Sequence, residues 1–257
     1  MRVLGIIPAR GGSKGIPRKN IKSLNGKPLL AYTIENALGA KRLDRLILST
    51  EDDEIAELAR SLGVDVPFKR PSELSNDEAP TFPVVLHAVK QMESVADSFD
   101  AVCLLQPTNP LRQAEDIDEC IALFESTDAD SVISVLRVPH QYNPKWVYLP
   151  KENGDLVLST GETSPVSRRQ DLPPAFCRDG SVYVTRRSVL DDYGNLYGRK
   201  VLGYEIDPGR SVNIDTNEDW LEAERILSNG HGPETANGYN VRSGSRGVKT
   251  ASGARTE

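Results

Sequence analysis

The stretch Val3-Leu4-Gly5-Ile6-Ile7-Pro8-Ala9-Arg10-Gly11-Gly12-Ser13-Lys14-Gly15-Ile16-Pro17-Arg18-Lys19-Asn20 decides the fold. Its apolar run over residues 3–7 ends at Pro8 and reads as a buried strand. A loop follows with three glycines, one serine and four cations: Arg10, Lys14, Arg18 and Lys19. A polyphosphate needs that combination, because glycine lets backbone N–H groups approach closely and the cations neutralise oxygens. The spacing is not G-x-x-x-x-G-K-[ST], and G-G-x-x-G is not G-x-G-x-x-G. The loop therefore has phosphate-binding chemistry without belonging to either common class.

Working outward, strand-like and helix-like segments alternate. Residues 29–38 carry helical spacing, with Pro28 at the first turn. Residues 45–49 form a second strand. The acidic run Thr50-Glu51-Asp52-Asp53 opens a helix that ends at Gly63. Residues 64–67 read as a short third strand, 81–95 as a helix, 101–105 as a buried strand, 113–124 as a helix and 131–136 as a strand. Such alternation predicts a parallel sheet covered by helices on both faces, with ligands beyond the carboxyl ends of the strands. After Val138 the rhythm breaks. Residues 139–177 hold six prolines, two tyrosines and Trp146, and read as an excursion from the sheet. Strands at 181–185 and 200–206 and a helix at 216–227 follow. Residues 229–257 are rich in Gly, Ser and Asn without periodicity, and read as a disordered tail.

Composition bounds the function. The chain has 257 residues, 26% charged, with a net charge of −6. A general nucleic-acid binder is usually basic, so the positive loop is a local site in an acidic protein. No apolar run approaches the roughly 20 residues of a membrane span. Residues 1–20 turn polar too soon for a signal peptide, so a cytoplasmic protein is expected. Cys103, Cys120 and Cys177 lack metal or disulfide spacing. His87, His140 and His231 are widely separated, and His87 sits in an apolar helical pattern as a structural residue.

Four motifs in order resemble the CMP-sialic acid synthetases (acylneuraminate cytidylyltransferases) over residues 1 to about 227. These are residues 7–20 with Gly26-Lys27-Pro28-Leu29-Leu30, then Arg70-Pro71-Ser72-Glu73-Leu74, then Leu104-Leu105-Gln106-Pro107-Thr108-Asn109-Pro110-Leu111-Arg112, then Asn213-Ile214-Asp215-Thr216. The resemblance implies a Rossmann-like, mainly parallel α/β domain of nucleotidyltransferase type over residues 1–228. Residues 139–178 would be a small β-rich excursion serving dimerisation and sugar binding, and the protein a homodimer. It also implies a reaction: CTP and a nine-carbon 2-keto sugar acid give the CMP-sugar and pyrophosphate, with Mg²⁺.

The residue roles implied by the resemblance are specific. Arg10, Gly11, Gly12, Ser13 and Lys19 would hold the triphosphate, with Asn20 on the ribose or phosphate side. Lys14 and Arg18 are open between phosphate contact and solvated charge. Arg70 would read cytosine, with the chain at Ala79 and Thr81 accepting from its amine. Gln106, Thr108, Arg169 and Arg178 would face the sugar, with Arg112 of second rank. Lys19, Arg10, Gln106 and Asp215 would form the catalytic set. Three departures stand out. Asn109 replaces a frequent serine. Asn213 replaces the first aspartate of a D-I-D pair, leaving Asp215 as the main Mg²⁺ ligand in competition with a helix-capping role. Arg178 is displaced by one position, which reverses side-chain direction on a strand. CMP-Kdo synthesis and a non-catalytic nucleotide-binding module are the alternatives.

Overall fold

The computed structural model describes residues 1–229 except Asp77 and Ala96, so the expected disordered tail lies, beyond residue 229, outside the described residues. Strand β1 (Val3–Pro8) lies inside the sheet, between two paired strands, and both its faces are apolar. Val3 and Ile7 join one core cluster, and Leu4 and Ile6 join the other. This is the period-2 division of a strand buried on both sides. A minor hairpin follows, β2 (Ser23–Leu24) and β3 (Lys27–Pro28), and leads into helix α1 (Leu29–Gly39). Strand β4 (Arg45–Ser49) pairs in parallel with β1. Helix α2 (Asp53–Ser61) is capped by Asp52, whose carboxylate accepts from the Ile55 amide at 3.0 Å.

Residues 64–67 do not form the expected strand. They make a single isolated bridge, Asp65 with Ile47, and Lys69 just beyond them makes another with Thr50. Pro67 has no N–H for a ladder, so the segment only skirts the edge of β4. Helix α3 (Thr81–Glu93), strand β5 (Ala101–Leu105), helix α4 (Ala114–Glu125) and strand β6 (Ser131–Arg137) follow. The excursion contains a small antiparallel pair, β7 (Tyr148–Pro150) and β8 (Leu156–Leu158). Strand β9 (Phe176–Arg186) is longer than expected. Helix α5 (Arg187–Asp192) was not anticipated, being less than two turns long and mixed in polarity. Strand β10 (Val201–Glu205) and helix α6 (Asn217–Ser228) complete the described chain.

The main sheet runs β10-β6-β9-β5-β1-β4, parallel except for β9, which is antiparallel to both neighbours. The reason is the excursion. It leaves from the carboxyl end of β6 and returns at the same edge, and the Val138 amide closes its neck on the Ala175 carbonyl at 2.8 Å. A strand re-entering where its neighbour left must run the other way. The excursion therefore stands at the edge where β1, β4 and β5 also end.

Register shifts between β6 and β9 at Ile133 and Val135. The buried Ser134 hydroxyl fills the irregularity by donating to the Asp179 carboxylate and accepting from the Val182 amide at 2.9 Å. Ser134→Ala leaves that amide and part of the Asp179 carboxylate unpaired in the core. The expected loss is about 1–3 kcal/mol of stability, read as a lower urea midpoint at unchanged m-value.

Candidate active site

The loop after β1 is held by its neighbours before any ligand is considered. The Ala9 amide extends the β1 ladder to the Ser49 carbonyl at 3.0 Å. Asn20, buried, donates from Nδ2 to the Arg10 carbonyl at 2.8 Å and ties the two ends of the loop together. The Gly11 amide donates to the Glu51 carboxylate at 2.7 Å. A β-carbon on Gly11 would collide with the Asp52 carboxylate, and one on Gly15 with the Asp215 carbonyl. Both glycines are there for close approach. Gly12 has open space around it instead.

Arg18 is turned to neighbouring carboxylates. It takes a left-handed backbone conformation (φ 55°) and pairs with Asp52 and with Glu54, the latter at 2.5 Å. The Arg18 hydrogen bond holds the Asp52 carboxyl below its usual range, while partial burial opposes. Lys19 donates from Nζ to the Ile214 carbonyl at 2.6 Å and to Asp215 at 3.2 Å, joining the loop to the segment before α6. A small apolar cluster beneath, including Ile16, Leu24, Ile214 and Trp220, packs the same two segments together.

These contacts shape a cavity of about 330 Å³ at the carboxyl edge of the sheet. Arg10, Ser13, Lys19 and Asn20 line one side, and Arg70, Ala79 and Thr81 another. Gln106, Thr108 and Asp215 close it. Ten of the residues expected to meet substrate thus share one opening. Leu74, Asn76 and Val84 also line it and were not anticipated. Leu74 sits inside a quoted motif, but nothing in sequence marks an apolar residue as a cavity wall.

Arg70 is 4% exposed, and its Nε donates to Ser75 Oγ at 3.0 Å. It is a buried, oriented cation and not a surface ion pair. Arg112 is fully buried beneath the cavity and donates from Nη1 to the carbonyls of Gln106 (3.1 Å) and Ser181 (2.7 Å). Burial pushes its pKa down to about 10, still protonated at neutral pH. It supports Gln106 from below. Asn109 likewise faces inward, donating to Asp179 and Ser181. His87 packs edge-on against Phe68, and burial lowers its pKa. Cys103, Cys120 and Cys177 are free thiols.

Asp215 is relieved of capping duty. Thr216 caps α6, its hydroxyl accepting from the Asp219 amide at 3.2 Å while Asp219 accepts from the Thr216 amide at 2.8 Å. The Asp215 side chain stays 62% exposed, and Asn213 Nδ2 donates to it at 2.7 Å. Among the described residues no group of three His, Cys, Asp or Glu is placed to hold a metal. One carboxylate and one amide oxygen suit a hard divalent ion that keeps most of its ligands as water and phosphate. Arg169 and Arg178 lie outside the cavity. Arg169 lines a separate depression with Arg137, His140 and Asn143, and Arg178 donates to the Tyr197 hydroxyl at 3.0 Å.

A cationic Gly-rich loop, a buried arginine and an exposed carboxylate around one cavity, at the strand ends of a mostly parallel sheet, define a nucleotide-binding α/β protein. Residues 4–197 match the family model described as cytidylyltransferase, and the chain belongs to that family. It is 37% identical over 227 residues to the pseudaminic acid cytidylyltransferase of Campylobacter jejuni, covering 88% of this chain and 96% of that protein. Identity to the CMP-N,N'-diacetyllegionaminic acid synthase of Legionella pneumophila is 31% over 234 residues, covering 88% and 97%. Identity to N-acylneuraminate cytidylyltransferase A of Danio rerio is 34% over 232 residues. That match covers 89% of this chain but only 52% of the fish protein, so the chain spans about half its length. A solved structure of CMP:2-keto-3-deoxy-manno-octonic acid synthetase with CTP superimposes with TM-score 0.67 at 18% identity, over 89% of this chain and 99% of the other. That likeness is one of fold.

The Arg18–Asp52 clamp has a pH signature. The folded Asp52 pKa lies below its usual 3.8, so its stabilisation is complete above the unfolded value and vanishes as pH falls through the folded one. Asp52→Asn keeps a capping side chain and removes the charge. Since Arg18 is 40% exposed, the variant should be less stable by under about 1 kcal/mol at pH 7. Urea midpoints of the two proteins should converge below pH 3.8.

Proposed function

We propose that this chain transfers the cytidylyl group of CTP to the anomeric hydroxyl of a nonulosonic acid, releasing pyrophosphate. The observation that carries the reading is the cavity itself. It brings loop cations, the buried Arg70 and the Gln106–Thr108 segment to one opening. The sugar oxygen attacks the α-phosphorus, and negative charge moves toward the leaving pyrophosphate. Arg10, Ser13 and Lys19 line the cavity and face that charge, with Lys19 already held by the Ile214 carbonyl and Asp215. Arg70 donates to the cytosine edge. Gln106 donates to and accepts from hydroxyls near the reacting centre.

Asp215, with Asn213 beside it, holds Mg²⁺ in this reading, and the ion when bound neutralises phosphate oxygens. Lys19 keeps the Asp215 carboxylate oriented toward the opening. The sugar class follows two relatives matched over nearly their whole length, which are named for pseudaminic and diacetyllegionaminic acids. The eight-carbon acid of the solved synthetase is a second reading, supported by fold alone. The excursion is assigned to a homodimer contact, since Tyr148, Leu149, Leu156 and Phe176 on it are exposed apolar residues. A cytoplasmic setting supplies the nucleoside triphosphate. No described helix is long and apolar enough to cross a membrane.

The test measures pyrophosphate release with Mg²⁺, each nucleoside triphosphate and a panel of sialic, legionaminic, pseudaminic and eight-carbon acids. Release with CTP and a nine-carbon acid is expected. Turnover of the eight-carbon acid alone selects the second reading, and nucleotide binding without turnover of any acid rejects catalysis. Lys19→Ala should lower turnover at least 100-fold, the scale of losing one charge-stabilising donor, with a urea midpoint lowered only modestly as the Ile214 carbonyl and Asp215 lose a partner.

A further inference from the structure

Glu51 was read from the sequence only as part of an acidic helix start. It follows Thr50 at the end of β4, does not line the cavity, and is part-buried at 23% side-chain exposure. Yet its two carboxylate oxygens reach two different parts of the site. Oε1 accepts from the Gly11 amide at 2.7 Å, and Oε2 accepts from Arg70 Nη2 at 2.8 Å. The first contact fixes the phosphate loop; the second fixes the base-facing guanidinium.

The geometry constrains both ends. Arg70 is held at Nε by Ser75 and at Nη2 by Glu51, and its backbone amide by the Thr50 carbonyl at 2.9 Å. A planar guanidinium fixed at two of its three nitrogens has one orientation, and no hydrogen bond from Nη1 exists among the described residues. Gly11 has a single N–H, and Glu51 occupies it. Gly11 therefore serves as an anchor of the loop and not as a phosphate donor.

We infer that Glu51 is a positioning residue that fixes the separation between the base-reading and phosphate-holding halves of the nucleotide seat. Nucleotide selectivity then depends on a side chain that touches no nucleotide. This rests on the cavity being a CTP seat. With Glu51 in place, a nucleotide fits only if its base edge and its triphosphate lie at the set distance. Without it, Arg70 turns about its stem and the loop shifts independently.

The experiment compares the full chain with Glu51→Gln and Ser75→Ala. Binding of CTP, UTP and CDP is measured by calorimetry, alongside KM and kcat. Glu51→Gln retains the side-chain shape but gives up one carboxylate acceptor. Losing a charged hydrogen bond predicts about a tenfold weaker CTP affinity, with both the CTP-over-UTP and CTP-over-CDP preferences reduced. The change should appear in KM for CTP and not in KM for the sugar acid. Ser75→Ala releases Arg70 Nε and the Pro71 carbonyl but leaves the Glu51–Gly11 contact in place, so it should lower the CTP-over-UTP preference and leave CTP-over-CDP intact. If Glu51→Gln does not fold, Glu51→Asp, which keeps the charge but shortens the reach to Gly11 and Arg70, decides the matter by the same two preferences. Wild-type CTP affinity and preferences in Glu51→Gln, or equal losses for every ligand in both variants, overturn the inference while leaving the CTP reading standing. A wild-type protein that binds no CTP overturns both.

Discussion

The loop after β1 concentrates positive charge in a segment without a ladder, and carboxylates at the neighbouring strand and helix ends hold it. Glu51 takes the Gly11 amide, Asp52 takes Arg18, and Asp215 takes Lys19. Each contact ties the loop to a different element: the end of β4, the start of α2 and the segment before α6. Repelling cations would otherwise spread outward into water. Held this way at the cavity, Lys19 stands ready for a polyanion while Arg18 braces the loop, and that part of the ordering entropy is met by folding and not by binding. Glycine is required at Gly11 and Gly15 because these contacts leave no room for a β-carbon.

A second constraint lies under the opposite wall. Asp179 accepts from Ser134, Ser181 and Asn109, and Arg112 spans the carbonyls of Gln106 and Ser181. Buried polar groups of this kind are stable only when their partners are supplied. Here the partners of Asp179 come from β6, β9 and the loop after β5, while Arg112 bonds through Nη1 alone and its Nε and Nη2 find no partner among the described residues; the network fixes three elements at the point where the sheet changes direction. Gly180, at φ +88°, turns there with Gln106 and Asn213 nearby.

Much of this was legible in residue order. The long apolar strands and the periodic helices were readable because burial on one or both faces imprints a period. The nucleotide wall was readable because glycine and cations after a strand carry specific chemistry. Other features left no such imprint. The antiparallel direction of β9 depends on where an excursion re-enters, and no local pattern encodes that. The excluded strand at 64–67 had suitable residues but a proline where a ladder needs N–H. Glu51 looked like a helix-start acid, since its two partners lie 40 residues before it and 19 after it. Arg169 and Arg178 were drawn toward a sugar by motif, yet in this chain they face a different depression and a tyrosine.

The neck of the excursion has a consequence for how such a protein diversifies. The chain departs after β6 and returns into β9 through one backbone hydrogen bond, between Val138 and Ala175. Everything between those residues is topologically a closed appendage. Its length and composition can drift without disturbing the pairing of β6 with β9, and so without moving the walls those strands carry. A lineage can thus exchange this appendage as a cassette while the sheet beneath it continues to fold from its own contacts.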